Sequence, residues 1–103
     1  MNKIYIITTM TKLEQNKLGW PEYGSTRTVG WYESFNDAEK CVVYNNGDIW
    51  ETCYDYAIIE EVEEGLYPYC KPRWFYKYNI ETGEYERIEE PELMKHIVCI
   101  GIG

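Results

Sequence analysis

Tyr54-Asp55-Tyr56-Ala57-Ile58-Ile59-Glu60-Glu61-Val62-Glu63 decides how this chain folds. In an extended strand Tyr54, Tyr56, Ile58 and Val62 share one face, interrupted by Glu60, while Ala57 and Ile59 fall on the other. A strand that is apolar on both sides at its centre belongs in the interior of a sheet.

Neighbours for it can be read on either side. Residues 3–9 are rich in β-branched and aromatic side chains and read as a first strand, and strand character returns from Thr28 to Glu33. Arg73 to Tyr78 and Tyr85 to Ile88 form the arms of a hairpin around Thr82-Gly83, with Trp74, Tyr76 and Tyr78 at period two. His96 to Ile102 reads as a last strand, broken by Gly101. Between the first two strands, Gly19-Trp20-Pro21 and Tyr23-Gly24-Ser25-Thr26 are loop chemistry, and a connection this long is of the kind that carries function.

One helix is expected. Ser34 is a suitable N-cap with Asp37 three residues on, and Ala38, Cys41, Val42, Asn45 and Ile49 recur on one helical face. Asn45-Asn46-Gly47 supplies a stop, after which residues 48–52 continue or restart the helix. Pro91 opens a short turn through Leu93 and Met94. The order β-β-α-β-β-β-β with short links predicts a single α+β domain over residues 1–103. It is a mainly antiparallel sheet of about six strands with one amphipathic helix packed on one face. The other face needs a second layer from the long loop, or serves as a partner surface.

Composition narrows the function. Eleven Tyr and four Trp accompany 18 acids, ten bases and a single His. The formal net charge of −8 is uneven: the first 50 residues carry six acids against five bases, the remainder twelve against five. A field of that sign repels phosphate backbones and favours a basic partner. Residues 1–10 lack the hydrophobic core and cleavage site of an export signal, and no apolar run approaches the length of a membrane span, so a cytoplasmic protein is expected. Cys41, Cys53, Cys70 and Cys99 are widely spaced, with no C-x-x-C pair for zinc or redox work, and give little ground for a disulfide framework. Cys41 and Cys99 read as small buried hydrophobes.

Few residues could support a reaction. His96 and Cys99 stand three apart, which on a strand puts them on opposite faces and argues against a nucleophile–base pair. No nucleophile elbow, zinc-protease helix, calcium loop or phosphate-binding glycine loop occurs. Glu61 and Glu63 share a strand face and could approach a hard cation, but the runs Glu60-Glu61, Glu63-Glu64 and Glu89-Glu90 sit at strand ends and read as solvated edge charge. An enzyme is therefore not expected, nor a cofactor or resident metal.

Two binding modes fit better. If the acidic runs are functional, Glu60, Glu61, Glu63, Glu64, Glu89 and Glu90 meet a basic protein surface, with exposed Tyr and Trp as hot spots. Alternatively, Trp20, Tyr23, Arg27, Arg73 and Trp74 form a stacking pocket for a small ligand such as a nucleotide, completed by a homo-oligomer.

The text from Tyr54 to Tyr78, with the Gly19-Trp20-Pro21 loop, the Glu89-Glu90-Pro91 turn and Lys95-His96, resembles a group of small acidic proteins of Gram-positive bacteria and their prophages. The resemblance implies a mobile-element setting. Small acidic proteins there act as inhibitors of host defence, either by masking a basic groove on a host protein or by trapping a signalling nucleotide. It carries no catalytic or binding residues with it.

Overall fold

Ser34 does cap the helix: its Oγ accepts from the Asp37 backbone N–H at 3.4 Å, and α1 runs Phe35–Val43. These coordinates are a computed structural model, which describes residues 3–15, 17–19, 21–66, 70–97 and 99–101. The helix is nine residues long and stops before Asn45, shorter than its apolar periodicity allows. Asn45, Asp48, Glu51 and Thr52 all adopt positive φ, so residues 45–52 form successive turns instead of a second helix. Asn45 organises them, its Oδ1 accepting from Trp50 N at 3.0 Å and its Nδ2 donating to Asp48.

The main sheet contains β1 (Lys3–Met10), β4 (Thr26–Tyr32), β5 (Tyr56–Glu63), β6 (Arg73–Asn79) and β7 (Glu84–Ile88), ordered β4-β1-β5-β6-β7 and antiparallel throughout. β5 is the central strand, as its two apolar faces require. The supposed long loop is not structureless: β2 (Leu13–Gln15) and β3 (Pro21–Tyr23) pair in a separate two-stranded ribbon. A bulge at Ile7/Thr8 shifts the β1–β4 register.

Each face of the sheet has its own core. On one, Ala38 and Val42 of α1 meet Ile7, Ala57, Ile59, Tyr76 and Tyr85, with Phe35, Trp50, Trp74 and Tyr78 at the margin. Tyr76 and Tyr85 are buried to the ring, and each hydroxyl is satisfied, Tyr76 by Glu39 of α1 and Tyr85 by the Tyr54 carbonyl.

The opposite face is covered by the chain's end. The expected last strand over 96–102 does not form among the described residues 96, 97 and 99–101. A 3-10 turn (Glu92–His96) is followed by an irregular segment, and Met94, Ile97 and Ile100 pack on Met10, Ile58 and Phe75. The physical reason is where the backbone donors go: the N–H groups of Ile100 and Gly101 point into the sheet face at a side chain, not across to a neighbouring strand. Cys70 and Cys99 form a disulfide beside Ile6 and Val62, so Cys99 is a covalent tether and not the free apolar residue expected. No helix among the described residues is long and apolar enough to cross a membrane.

Candidate functional site

Glu60 is the residue whose surroundings depart most from its sequence reading. It lies on the terminal-segment face of the central strand, between Ile58 and Val62, and is 1% exposed. The reading of Glu60 as surface charge or a partner contact is therefore corrected: it is a core carboxylate. Its two oxygens accept from Ile100 N at 2.9 Å and Gly101 N at 2.8 Å. Burial raises its pKa above the ordinary value, opposed by those two backbone donors and by the positive charge of Arg73, its cross-strand partner. A side chain at Gly101 would put its Cβ 2.9 Å from both Ile6 Cγ2 and Thr8 Oγ1, so only glycine lets the segment come this close.

Arg73 belongs to the same array. Its side chain is 2% exposed, and it donates from Nε and one terminal nitrogen to Glu90 Oε1 at 3.2 and 2.9 Å and to the Met94 carbonyl at 2.7 Å. A guanidinium so committed is a structural clamp between β6, the residues after β7 and the 3-10 turn. It is not the ligand-stacking group expected, nor is Glu90 a free contact residue.

The other acids sort cleanly. Glu61 accepts from Tyr5 Oη at 3.0 Å and lies 3.6 Å from Lys3 Nζ, and the hydrogen bond to Glu61, with burial next, raises the Tyr5 pKa. Glu63, Glu64 and Glu89 are exposed. Glu63 sits opposite Lys3, and the pairing of Phe75 with Ile88 puts Glu89 at the same end of the sheet. Tyr32 at the end of β4 is opposite Tyr5, so Trp31, Tyr32 and Glu33 join that end, where Trp31 is 58% and Leu66 91% exposed.

The five residues expected to form a ligand pocket are not assembled among the described residues. Trp20 lies outside them, as does the Tyr23 side chain. Trp74 packs on Phe35 with ring centroids 4.3 Å apart, on the helix face. Arg27 shares that face but is on edge strand β4, three strands away, and Arg73 is on the opposite face. Arg27 does line a cavity of about 340 Å³ together with Ile7, Val29, Trp31, Tyr32 and Ile49. It is ion-paired with Glu51, lies over the Tyr54 ring at 4.6 Å, and its buried Nε has no acceptor among the described residues.

Sequence reading missed Ile100 and Gly101 as partners of Glu60, Cys70 as partner of Cys99, and Glu51 as partner of Arg27. One signal was available: Glu60 is the single interruption of an apolar strand face, and a carboxylate there must be either edge charge or a buried acceptor. Comparison of the chain with family models, with curated proteins and with solved structures gave no match in any of the three.

Proposed function

We propose that the protein is a non-catalytic binding module that docks on a basic surface of a protein partner, in the manner of an inhibitor carried by a mobile element. One observation supports this best. Exposed carboxylates of Glu33, Glu63, Glu64 and Glu89 share one end of the sheet with exposed Trp31, Tyr32 and Leu66. Aromatic and apolar groups within a charged rim are how interfaces combine hot spots with steering. Glu60, Glu61 and Glu90 are excluded from the contact set because each is occupied inside the fold.

The test is charge reversal at three of these exposed acids alone. A Glu63→Lys/Glu64→Lys/Glu89→Lys protein should keep its circular dichroism and lose a salt-sensitive partner captured from host lysate by the unaltered chain. Retention of that partner by the folded triple variant rejects the reading.

The Arg27 cavity favours a second reading, a small planar ligand with an acceptor for the unpartnered Nε. A nucleotide panel in a thermal-shift assay tests it, since a ligand at 100 times its Kd stabilises by about 2.7 kcal/mol. Arg27→Ala should abolish any shift observed, and the absence of a shift with every nucleotide removes nucleotides as the ligand class.

A further inference from the structure

We propose that Glu60, Cys70 and Cys99 form a binding site for a thiophilic divalent cation of the zinc class, assembled when the Cys70–Cys99 disulfide is reduced. A Glu60 carboxylate oxygen and the two sulfurs all lie within 4.8 Å of one another. Zinc–sulfur bonds of about 2.3 Å and zinc–oxygen bonds of about 2.0–2.2 Å in a tetrahedral centre place donor atoms roughly 3.5–3.8 Å apart. All three donors are thus close to the spacing the ion needs once the two sulfurs, bonded to each other in the disulfide, have parted. The Cα atoms of Cys70 and Cys99 are 5.5 Å apart, so parting the sulfurs to that spacing asks for side-chain rotation at both residues.

The surroundings suit a metal as well as they suit the hydrogen bonds Glu60 already accepts. Glu60 and Cys70 are both 1% exposed, which keeps bulk water from two of the donors, while Cys99 is partly exposed and leaves an approach for the ion and for water as fourth ligand. The backbone N–H groups of Ile100 and Gly101 hold both Glu60 oxygens in place, the outer hydrogen bonding that aims carboxylate ligands, and each oxygen keeps a second lone pair. Two thiolates and a softly bound divalent ion match the preference of zinc over magnesium or calcium. Charge also balances. Two thiolates, a carboxylate and a divalent cation carry the same net charge as the carboxylate beside two neutral thiols, so uptake adds none to this junction beside Arg73.

The steps are ordinary. A dithiol reductant of the thioredoxin class delivers two electrons and two protons, the S–S bond breaks, both cysteines become thiols and the reductant closes its own disulfide. The cation then displaces the two thiol protons, which pass to solvent, and coordinates both sulfurs and the Glu60 carboxylate. The terminal segment is thus tied down in either redox state, by a covalent bond to Cys70 in the β5–β6 connection under oxidising conditions and by a metal that also engages Glu60 of β5 under reducing ones. The donors come from positions 60, 70 and 99, which is why no short zinc motif announces them.

Cobalt titration of the full chain tests this. Cys41→Ser and Cys53→Ser remove the two remaining thiols, neither of which is in the site. After reduction with a phosphine, the chain should bind one Co²⁺ with thiolate-to-cobalt charge-transfer absorption and tetrahedral d–d bands, displaced by equimolar Zn²⁺. The oxidised chain should show neither, and Glu60→Gln should weaken affinity by on the order of 10-fold or more. A reduced, folded chain without the thiolate band, or an undiminished band in Cys99→Ser, overturns the proposal. Should reduction unfold the chain, recovery of its circular dichroism on adding Zn²⁺ supports the site, and failure to recover overturns it.

Discussion

Glu60 and Gly101 lie 41 residues apart, and the Gly101 backbone N–H donates to Glu60 Oε1 at 2.8 Å. With the matching bond from Ile100 N to Oε2, a carboxylate in the central strand takes the place of a neighbouring strand as acceptor for the chain's last turn. Glu60→Ala strands two donors and opens a cavity, which should cost about 3 kcal/mol. Glu60→Gln keeps one acceptor oxygen and should cost less. Urea unfolding of the oxidised proteins measures both, and equal stability of Glu60→Ala and the unaltered chain would contradict the arrangement.

Arg73 is bound on three sides and its side chain is 2% exposed, whereas that of its partner Glu90 is 32% exposed. Removing the cation leaves Glu60 buried without its cross-strand positive charge, so Arg73→Ala should destabilise by about 3–5 kcal/mol. Glu90→Ala should cost less, because solvent can reach the released guanidinium region through the partly exposed Glu90 site. Chemical denaturation of the two variants side by side tests the ranking.

The disulfide closes a loop with a sequence separation of 29. Chain entropy for a loop of that size amounts to about 3–4 kcal/mol of stability. Reduction in the presence of a chelator should lower the urea midpoint accordingly. Ser substitution at Cys53, which is free and exposed, should leave it within about 0.5 kcal/mol.

Glu39 supplies a pH signature on the helix face. Burial pushes its pKa up, but hydrogen bonds from Tyr76 Oη at 2.6 Å and from Arg87 outweigh that and hold it below its ordinary value of 4.5. A carboxylate depressed on folding contributes stability above its unfolded pKa and loses it as pH falls through the folded one. Stability should therefore decline on acidification below pH 4.5, and Glu39→Gln should flatten that part of the profile relative to the unaltered chain. Parallel curves for the two proteins, from thermal melts across the acid range, would remove Glu39 as a contributor.

Much of the architecture could be read from local pattern. Runs of β-branched and aromatic residues located β1 and β4, the hairpin around Thr82-Gly83 located β6 and β7, the apolar centre of Tyr56–Glu63 identified the middle strand, and Ser34 marked the helix start. These are properties of adjacent residues, so adjacent residues suffice to reveal them. The stop at Asn45-Asn46-Gly47 agrees with a helix that ends at Val43, but the helical continuation over 48–52 was misread because Asn45 and Asp48 redirect the chain into left-handed turns that apolar spacing does not report. The last strand was misread because Ile97 and Ile100 look the same whether they pair edge-on or pack face-on.

The candidate site was far less legible. Composition alone determined that the chain is acidic and rich in rings, and strand and helix patterns joined by short links determined an antiparallel α+β sheet. Which glutamates are exposed and which are buried was decided only by tertiary structure, since Glu60, Glu63 and Glu89 are chemically identical in sequence and differ in what folds over them. The same holds for two of the three arginines: Arg73 is locked beneath the terminal segment and Arg27 stands at a cavity on the opposite face. Burial and partnership depend on contacts between residues tens of positions apart, and hydrophobic periodicity carries no information at that range.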